Sequence, residues 1–185
     1  MAEALMEAWI WLEREGLIAP RPGQTGRDWI YITCRGIELE NHTDFDTYRK
    51  ASILPTKFLD PNLVRKVRPM FIRGDYEPAV FQAFKEVEVR VREAASLPDE
   101  IIGVPLMRKA FDPKDGPLTD QSLLTAEREA ISHLFAGAIG LFKNPTSHRH
   151  VELNDPAETA ELILFANYLL RIVESRRNGS SEEMN

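Results

Sequence analysis

Residues 75–94 read DYEPAVFQAFKEVEVRVREA, and this stretch decides what kind of protein the chain is. Tyr76, Ala79, Val80, Ala83, Phe84, Val87, Val91 and Ala94 recur at steps of three and four, the spacing that lines one face of an α-helix. Asp75 is suited to cap the start, and Leu97-Pro98 closes the helix because the ring removes a donor and fixes the backbone. A long amphipathic helix needs other helices to cover it, so the chain is expected to be mainly α.

The sequence on either side agrees. Val104 to Ala110 fits a shorter helix closed by Asp112-Pro113. Ala126 to Phe142 fits a long one, with Ala130, Ile131, Leu134, Phe135, Ala138 and Ile139 inward; Ala136, Gly137 and Gly140 would let a neighbouring backbone come close. Asp155-Pro156-Ala157-Glu158 has a cap residue, then proline in the first turn, then an acid, which marks another helix start. That last helix is expected to end near Arg176, and Leu162, Ile163, Leu164, Phe165, Tyr168, Leu169, Leu170 and Ile172 cover more than one of its faces. Such a helix belongs at a bundle centre or a seam between protomers. Upstream, Ala2 to Glu15 reads as a helix with Leu5, Trp9 and Leu12 on one side, stopped by Gly16. Leu17-Ile18-Ala19 and Trp29 to Thr33, around a loop rich in Pro, Gly and Arg, predict a short β-hairpin. The expected organisation is a hairpin-bearing segment over 1–40, a linker with short helical turns over 41–69, a helical bundle over 70–176 and a frayed polar tail over 177–185.

Composition narrows the function. The net charge of −6 disfavours a protein that coats DNA through a broad basic surface. One cysteine, Cys34, leaves no intrachain disulfide to form and fits a reducing compartment. The most apolar run, Leu162 to Val173, is interrupted by Asn167 and Arg171, and no signal-peptide pattern opens the chain, so a cytoplasmic protein without a membrane span is expected.

The chemistry concentrates in Leu141-Phe142-Lys143-Asn144-Pro145-Thr146-Ser147-His148-Arg149-His150. Asn144 precedes proline, which pushes it out of helical geometry, so the long helix should end near Lys143 and a new turn should begin with His148 upon it. On spacing alone this is a polar connection between two helices. Its content also suits phosphate chemistry, with cations and amides to hold an oxyanion and an imidazole that moves a proton near neutral pH. Thr146 and Ser147 have no carboxylate in sequence that would orient a base for a serine nucleophile. His148, His150, His133 and Glu152 lack the spacing logic of a metal site, so neither a metal nor another cofactor is expected.

The same stretch resembles the Arg-Asn-x-x-x-His signature of HEPN-domain proteins, with Lys143 at the arginine position. The resemblance extends over roughly Val67 to Glu174. Phe71-Ile72-Arg73-Gly74-Asp75-Tyr76-Glu77-Pro78-Ala79-Val80, with Ala83 to Glu88 after it, is similar to the first helix of the Ymh-type bacterial proteins. The resemblance implies a HEPN-like helical bundle and a homodimer. It implies metal-independent cleavage of RNA in a prokaryotic defence or toxin–antitoxin setting, with an antitoxin or sensor protein as partner. Within it, His148 takes the motif's histidine, Asn144 its polar partner and Lys143 its cation. Lysine keeps the charge and loses the planar two-point grip on phosphate, which leaves a non-catalytic RNA- or nucleotide-binding module as the alternative. Glu88, on the flank of the first bundle helix, is a surface acid or a buried partner of this site, and Arg149 and His150 extend a basic cleft or face solvent.

A helix ending in Leu-x-x-x-Gly-Leu-Ile, then a hairpin and Ile-Thr-x-x-Gly, resembles the later part of a winged helix. The two helices that precede these elements in that motif are absent from the sequence, so the chain is expected to begin inside such a unit. Its Arg21, Arg27 and Arg35 suggest phosphate contacts and a DNA-binding regulator dimerised by the bundle. Against this, Glu3, Glu7, Glu13 and Glu15 on the helix in the recognition position would repel a phosphate backbone, so DNA is the less favoured partner.

Overall fold

The computed structural model describes residues 2–24, 29–40, 45–143 and 153–182, and the chain is mainly helical with one small two-stranded antiparallel sheet. It divides into two compact units, Met1–Ala51 and Ser52–Asn185.

The first unit holds α1 (Ala2–Arg14), β1 (Ile18–Pro20), β2 (Ile30–Ile32), α2 (Cys34–Glu40) and most of α3 (Phe45–Ile53). The hairpin pairs Ile18 with Ile32 and Pro20 with Ile30. Thr33 ties the end of α1 to the start of α2: its hydroxyl donates to the Gly16 carbonyl at 2.6 Å and accepts from the Gly36 amide at 3.1 Å. Gly36 has to be glycine, since a Cβ there would stand 2.3 Å from the Leu17 carbonyl oxygen. Leu17 and Ile18 are the buried apolar side chains described in this unit. The apolar side of α1, with Leu5, Met6, Trp9 and Ile10, is exposed, so its amphipathic pattern does not correspond to a buried face within the unit.

The second unit contains the hydrophobic core. A turn of 3-10 helix at Thr56–Phe58 and a π-helical turn at Leu63–Val67 lead into α4 (Arg68–Arg73), and then α5 (Tyr76–Ala94), α6 (Gly103–Ala110), α7 (Thr125–Ala138), a second π-helical turn (Ile139–Lys143) and α8 (Pro156–Glu182) follow. The stretch expected to be a linker behaves otherwise, because Leu54, Leu59, Leu63 and Val67 are all buried in this core. Leu59, Leu63 and Val67 recur every four residues, but Pro55, Pro61 and Pro69 interrupt the stretch and make it read as a linker.

Helix α5 follows its sequence pattern closely, burying Tyr76, Ala79, Val80, Ala83, Phe84, Val87 and Val91 against α8 and the neighbouring helices. Asp75 does not cap it with its side chain, which instead accepts from Arg73 Nε at 3.0 Å. Helix α8 is capped as expected: Asp155 Oδ1 accepts from the Ala157 amide at 2.9 Å, and the Asp155 carbonyl accepts from the Thr159 hydroxyl. It buries Ala160, Ile163, Ala166, Leu169, Leu170 and Val173, while Leu164 and Tyr168 stay exposed. It continues to Glu182, past the end expected near Arg176, because each residue added to a formed helix gains a hydrogen bond with no new nucleation cost.

Helix α7 buries much of the face its sequence marks: Phe135, Ala138 and the following Ile139 are buried, with Ser132 and Ala136 beside them, whereas Ala130 and Leu134 are exposed. Phe135 sets this orientation by stacking on Phe111 at 4.1 Å between ring centres. Gly137 faces open space, while a Cβ on Gly140 would meet Val104 of α6 at 3.3 Å. Among the described residues, no helix is long and apolar enough to cross a membrane.

Candidate functional site

Three elements of the second unit meet around one carboxylate. Glu88 lies on α5, one residue beyond the core position Val87, which places it on the flank of the apolar face and beneath the start of α6. Its Oε2 accepts from the Gly103 amide at 3.1 Å, so a negative charge sits at the first turn of α6, where the exposed amides and helix dipole favour it. Its Oε1 accepts from Arg92 Nη2 at 3.1 Å, one helical turn further along α5. The third partner is Lys143, whose Nζ stands 3.0 Å from Glu88 Oε2.

Lys143 reaches this position because α7 does not run straight to its end. The π-helical turn from Ile139 to Lys143 re-aims the last residues, Ile139 and Phe142 pack against the core, and the close contact of Gly140 with Val104 draws the turn toward α6. Phe142 stacks on Phe84 of α5 at 5.1 Å between ring centres and meets Phe165 of α8 edge-on, fixing the residue just before Lys143. The Lys143, Glu88 and Arg92 side chains are 16%, 7% and 14% exposed. Arg92 also lies 3.9 Å from the exposed Asp99 carboxylate, so two cations face two carboxylates, of which Glu88 is the buried one. Arg92 is further held by the Ile101 carbonyl at 3.4 Å.

The structure therefore brings together two residues singled out in the sequence, Lys143 and Glu88. Asn144, His148, Arg149 and His150, along with Glu152 and Arg27, lie outside the described residues. His133 is exposed on α7, and no group of three or more His, Cys, Asp or Glu among the described residues is placed to hold a metal ion. Sequence reasoning missed Arg92 and the Gly103 amide. Arg92 had a visible signal, its four-residue spacing from Glu88, but a backbone amide from a distant element has none.

A second polar row runs along another side of α5. Gln82 donates to Glu86 Oε1 at 2.6 Å, and Lys66 donates to both Glu86 oxygens at 2.8 and 2.9 Å. One turn on, Arg90 bridges Asp60 at 3.4 Å and Glu174 of α8. Burial works against the Arg90 charge, yet hydrogen bonds and attraction from the Glu174 and Asp60 carboxylates outweigh it and raise its pKa above the usual value. Asn167 of α8 completes the row: its side-chain oxygen accepts from the Asp60 amide at 2.7 Å and its amide nitrogen donates to the Phe58 carbonyl at 2.9 Å.

Comparison with curated proteins gives no match, and comparison with solved structures gives none either. A family model described as "Protein of unknown function (Hypoth_ymh)" matches residues 57–173, from the turn that carries Phe58 to the buried Val173 of α8. That span takes in the core apart from Leu54, together with the Glu88–Lys143 cluster, and is more than half of the chain, which therefore belongs to the Hypoth_ymh family.

Proposed function

We propose that this protein is a HEPN-like, metal-independent endoribonuclease or RNA-binding effector that acts as a cytoplasmic homodimer in a prokaryotic defence or toxin–antitoxin system. The observation that carries the reading is Lys143, a largely buried cation held by Glu88 at the end of α7, immediately before Asn144 and four residues after it His148. In this reading His148 takes the proton from the RNA 2′-hydroxyl as that oxygen attacks phosphorus. The bond to the 5′-oxygen breaks, the leaving oxygen acquires a proton, and Lys143 with Asn144 holds the charge that develops on the phosphoryl oxygens. Glu88 is a positioning residue that fixes the lysine ammonium.

A second reading has its own observation. The Lys143 ammonium is already paired with a carboxylate, which reduces what it offers a phosphate, so a non-catalytic RNA- or nucleotide-binding module also fits. The winged-helix regulator has less support, because the acids of α1 are exposed and would meet a phosphate backbone directly.

The test is cleavage of varied RNAs by purified protein with and without chelator. The nuclease reading expects activity that survives chelation, is abolished by His148→Ala and falls on the order of a hundredfold in Lys143→Ala. His150→Ala should do little, and Lys143→Arg should raise the rate by restoring two-point phosphate contact. If His148→Ala cleaves as well as wild type, the assignment is wrong. If wild type and Lys143→Arg are both inert yet bind RNA, the binding-module reading stands.

A further inference from the structure

We propose that the cleft of about 370 Å³ between the Thr56–Phe58 turn and α8 is a binding site for a mononucleotide, separate from the Lys143 cluster. Lys57, Phe58, Asp60, Asn167, Arg171 and Glu174 are among its lining residues, and its volume lies in the range of small-ligand pockets and suits one nucleotide.

The cleft has a fixed floor and a chemically mixed mouth. Asn167, buried and bonded to both Asp60 and Phe58, anchors the turn to α8, and Arg90 ties Asp60 to Glu174 beneath it. The walls are therefore set before a ligand arrives, which lowers the ordering cost of binding. At the mouth, Phe58 presents a ring in a residue that is 64% exposed. An exposed aromatic beside a cleft is a platform for a nucleobase. Lys57, whose Nζ lies 5.7 Å from that ring centre, and Arg171 of α8 form none of the ion pairs found among the described residues. Two cations on opposite walls, neither paired with a carboxylate, suit a phosphate. The Glu174 side chain is 37% exposed while it pairs with Arg90, which leaves a carboxylate oxygen to accept from ribose hydroxyls. Base, sugar and phosphate each have a partner of matching chemistry within one cleft.

This cleft and the Lys143 cluster lie on different sides of α5. Arg90 and Glu88 are two residues apart on that helix, which separates them by roughly 200° around its axis. The cleft therefore does not depend on the nuclease reading.

The experiment titrates the full chain with 5′-AMP, 5′-GMP, 5′-CMP and 5′-UMP by calorimetry, with inorganic phosphate as control, and maps the binding by amide chemical shifts. At least one nucleotide should bind saturably below about 1 mM and move the amides of 57–60 and 167–174. Phe58→Ala and Arg171→Gln, both at exposed positions, should each weaken binding on the order of tenfold while far-UV dichroism is unchanged. Lys143→Ala should leave the affinity as it is. The proposal is overturned if no nucleotide saturates, or if inorganic phosphate binds as tightly as the nucleotides. It is equally overturned if the shifts centre on Lys143 and Glu88, or if both cleft variants bind like wild type.

Discussion

Glu88→Ala tests the central cluster most directly. Removing this carboxylate leaves the Lys143 ammonium, one Arg92 contact and the Gly103 amide without their shared acceptor. Taking one member from a fully buried ion pair costs about 3–5 kcal/mol. Here the cations keep 16% and 14% of their side-chain surface, and Arg92 retains the Ile101 carbonyl, so partial rehydration reduces the expected loss. A destabilisation of about 2–4 kcal/mol remains. Glu88→Gln, which still offers an oxygen to Gly103 and loses only the charge, should cost about half of that. The assay is urea denaturation followed by far-UV dichroism. All three tryptophans, Trp9, Trp11 and Trp29, lie in the first unit, so their fluorescence reports on the wrong part of the chain. With a urea slope of about 2 kcal/mol per molar, the Glu88→Ala midpoint should fall by about 1–2 M. If it moves by less than about 0.25 M, then Glu88 is an ordinary surface acid and the cluster does not hold Lys143.

Phe84→Ala should cost about 3–5 kcal/mol in the same assay, because its ring is fully buried and contacts both Phe142 and Phe165; a loss below about 1 kcal/mol would show that the ring cluster does not lock the end of α7. Acid sensitivity has a defined sign. Hydrogen bonds from Ser122, with Arg176 adding to them, hold the Asp120 carboxyl below its usual pKa, and the Lys114 amide does the same for Asp112. Such groups contribute stability above the unfolded-state pKa and lose it as pH falls through the folded-state value, so stability should decline from about pH 4 downward. An Asp112→Asn/Asp120→Asn variant should show a shallower acid decline, and an unchanged acid limb in urea midpoints measured across pH would refute this. Light scattering should find a dimer at micromolar concentration if the exposed Leu164 and Tyr168 of α8 belong to a protomer seam, and a monomer at high concentration would remove the shared-site arrangement.

The sequence by itself determined the helical class, the long α5 with its buried face, the capped start of α8 and the hairpin, because each rests on local periodicity or on turn and cap chemistry that neighbouring residues supply. It also picked out Lys143 and Glu88 as polar residues worth following. Tertiary structure decided the rest. Leu54, Leu59, Leu63 and Val67 entered the core although Pro55, Pro61 and Pro69 break the stretch into short turns, which masks the four-residue spacing of the last three. The periodicity of α7 marked Phe135, Ala138 and Ile139 correctly, but the stacking of Phe135 on Phe111, a partner more than twenty residues away, set a face that leaves Ala130 and Leu134 outside it. The pairing of Glu88 with Lys143 needed α5, the amide at the start of α6 and the π-helical end of α7 to converge, and the Asp60–Arg90–Glu174 bridge needed three separate segments. A carboxylate one position off a buried face can turn to solvent or to a partner at similar local cost. Only the packing around it selects which.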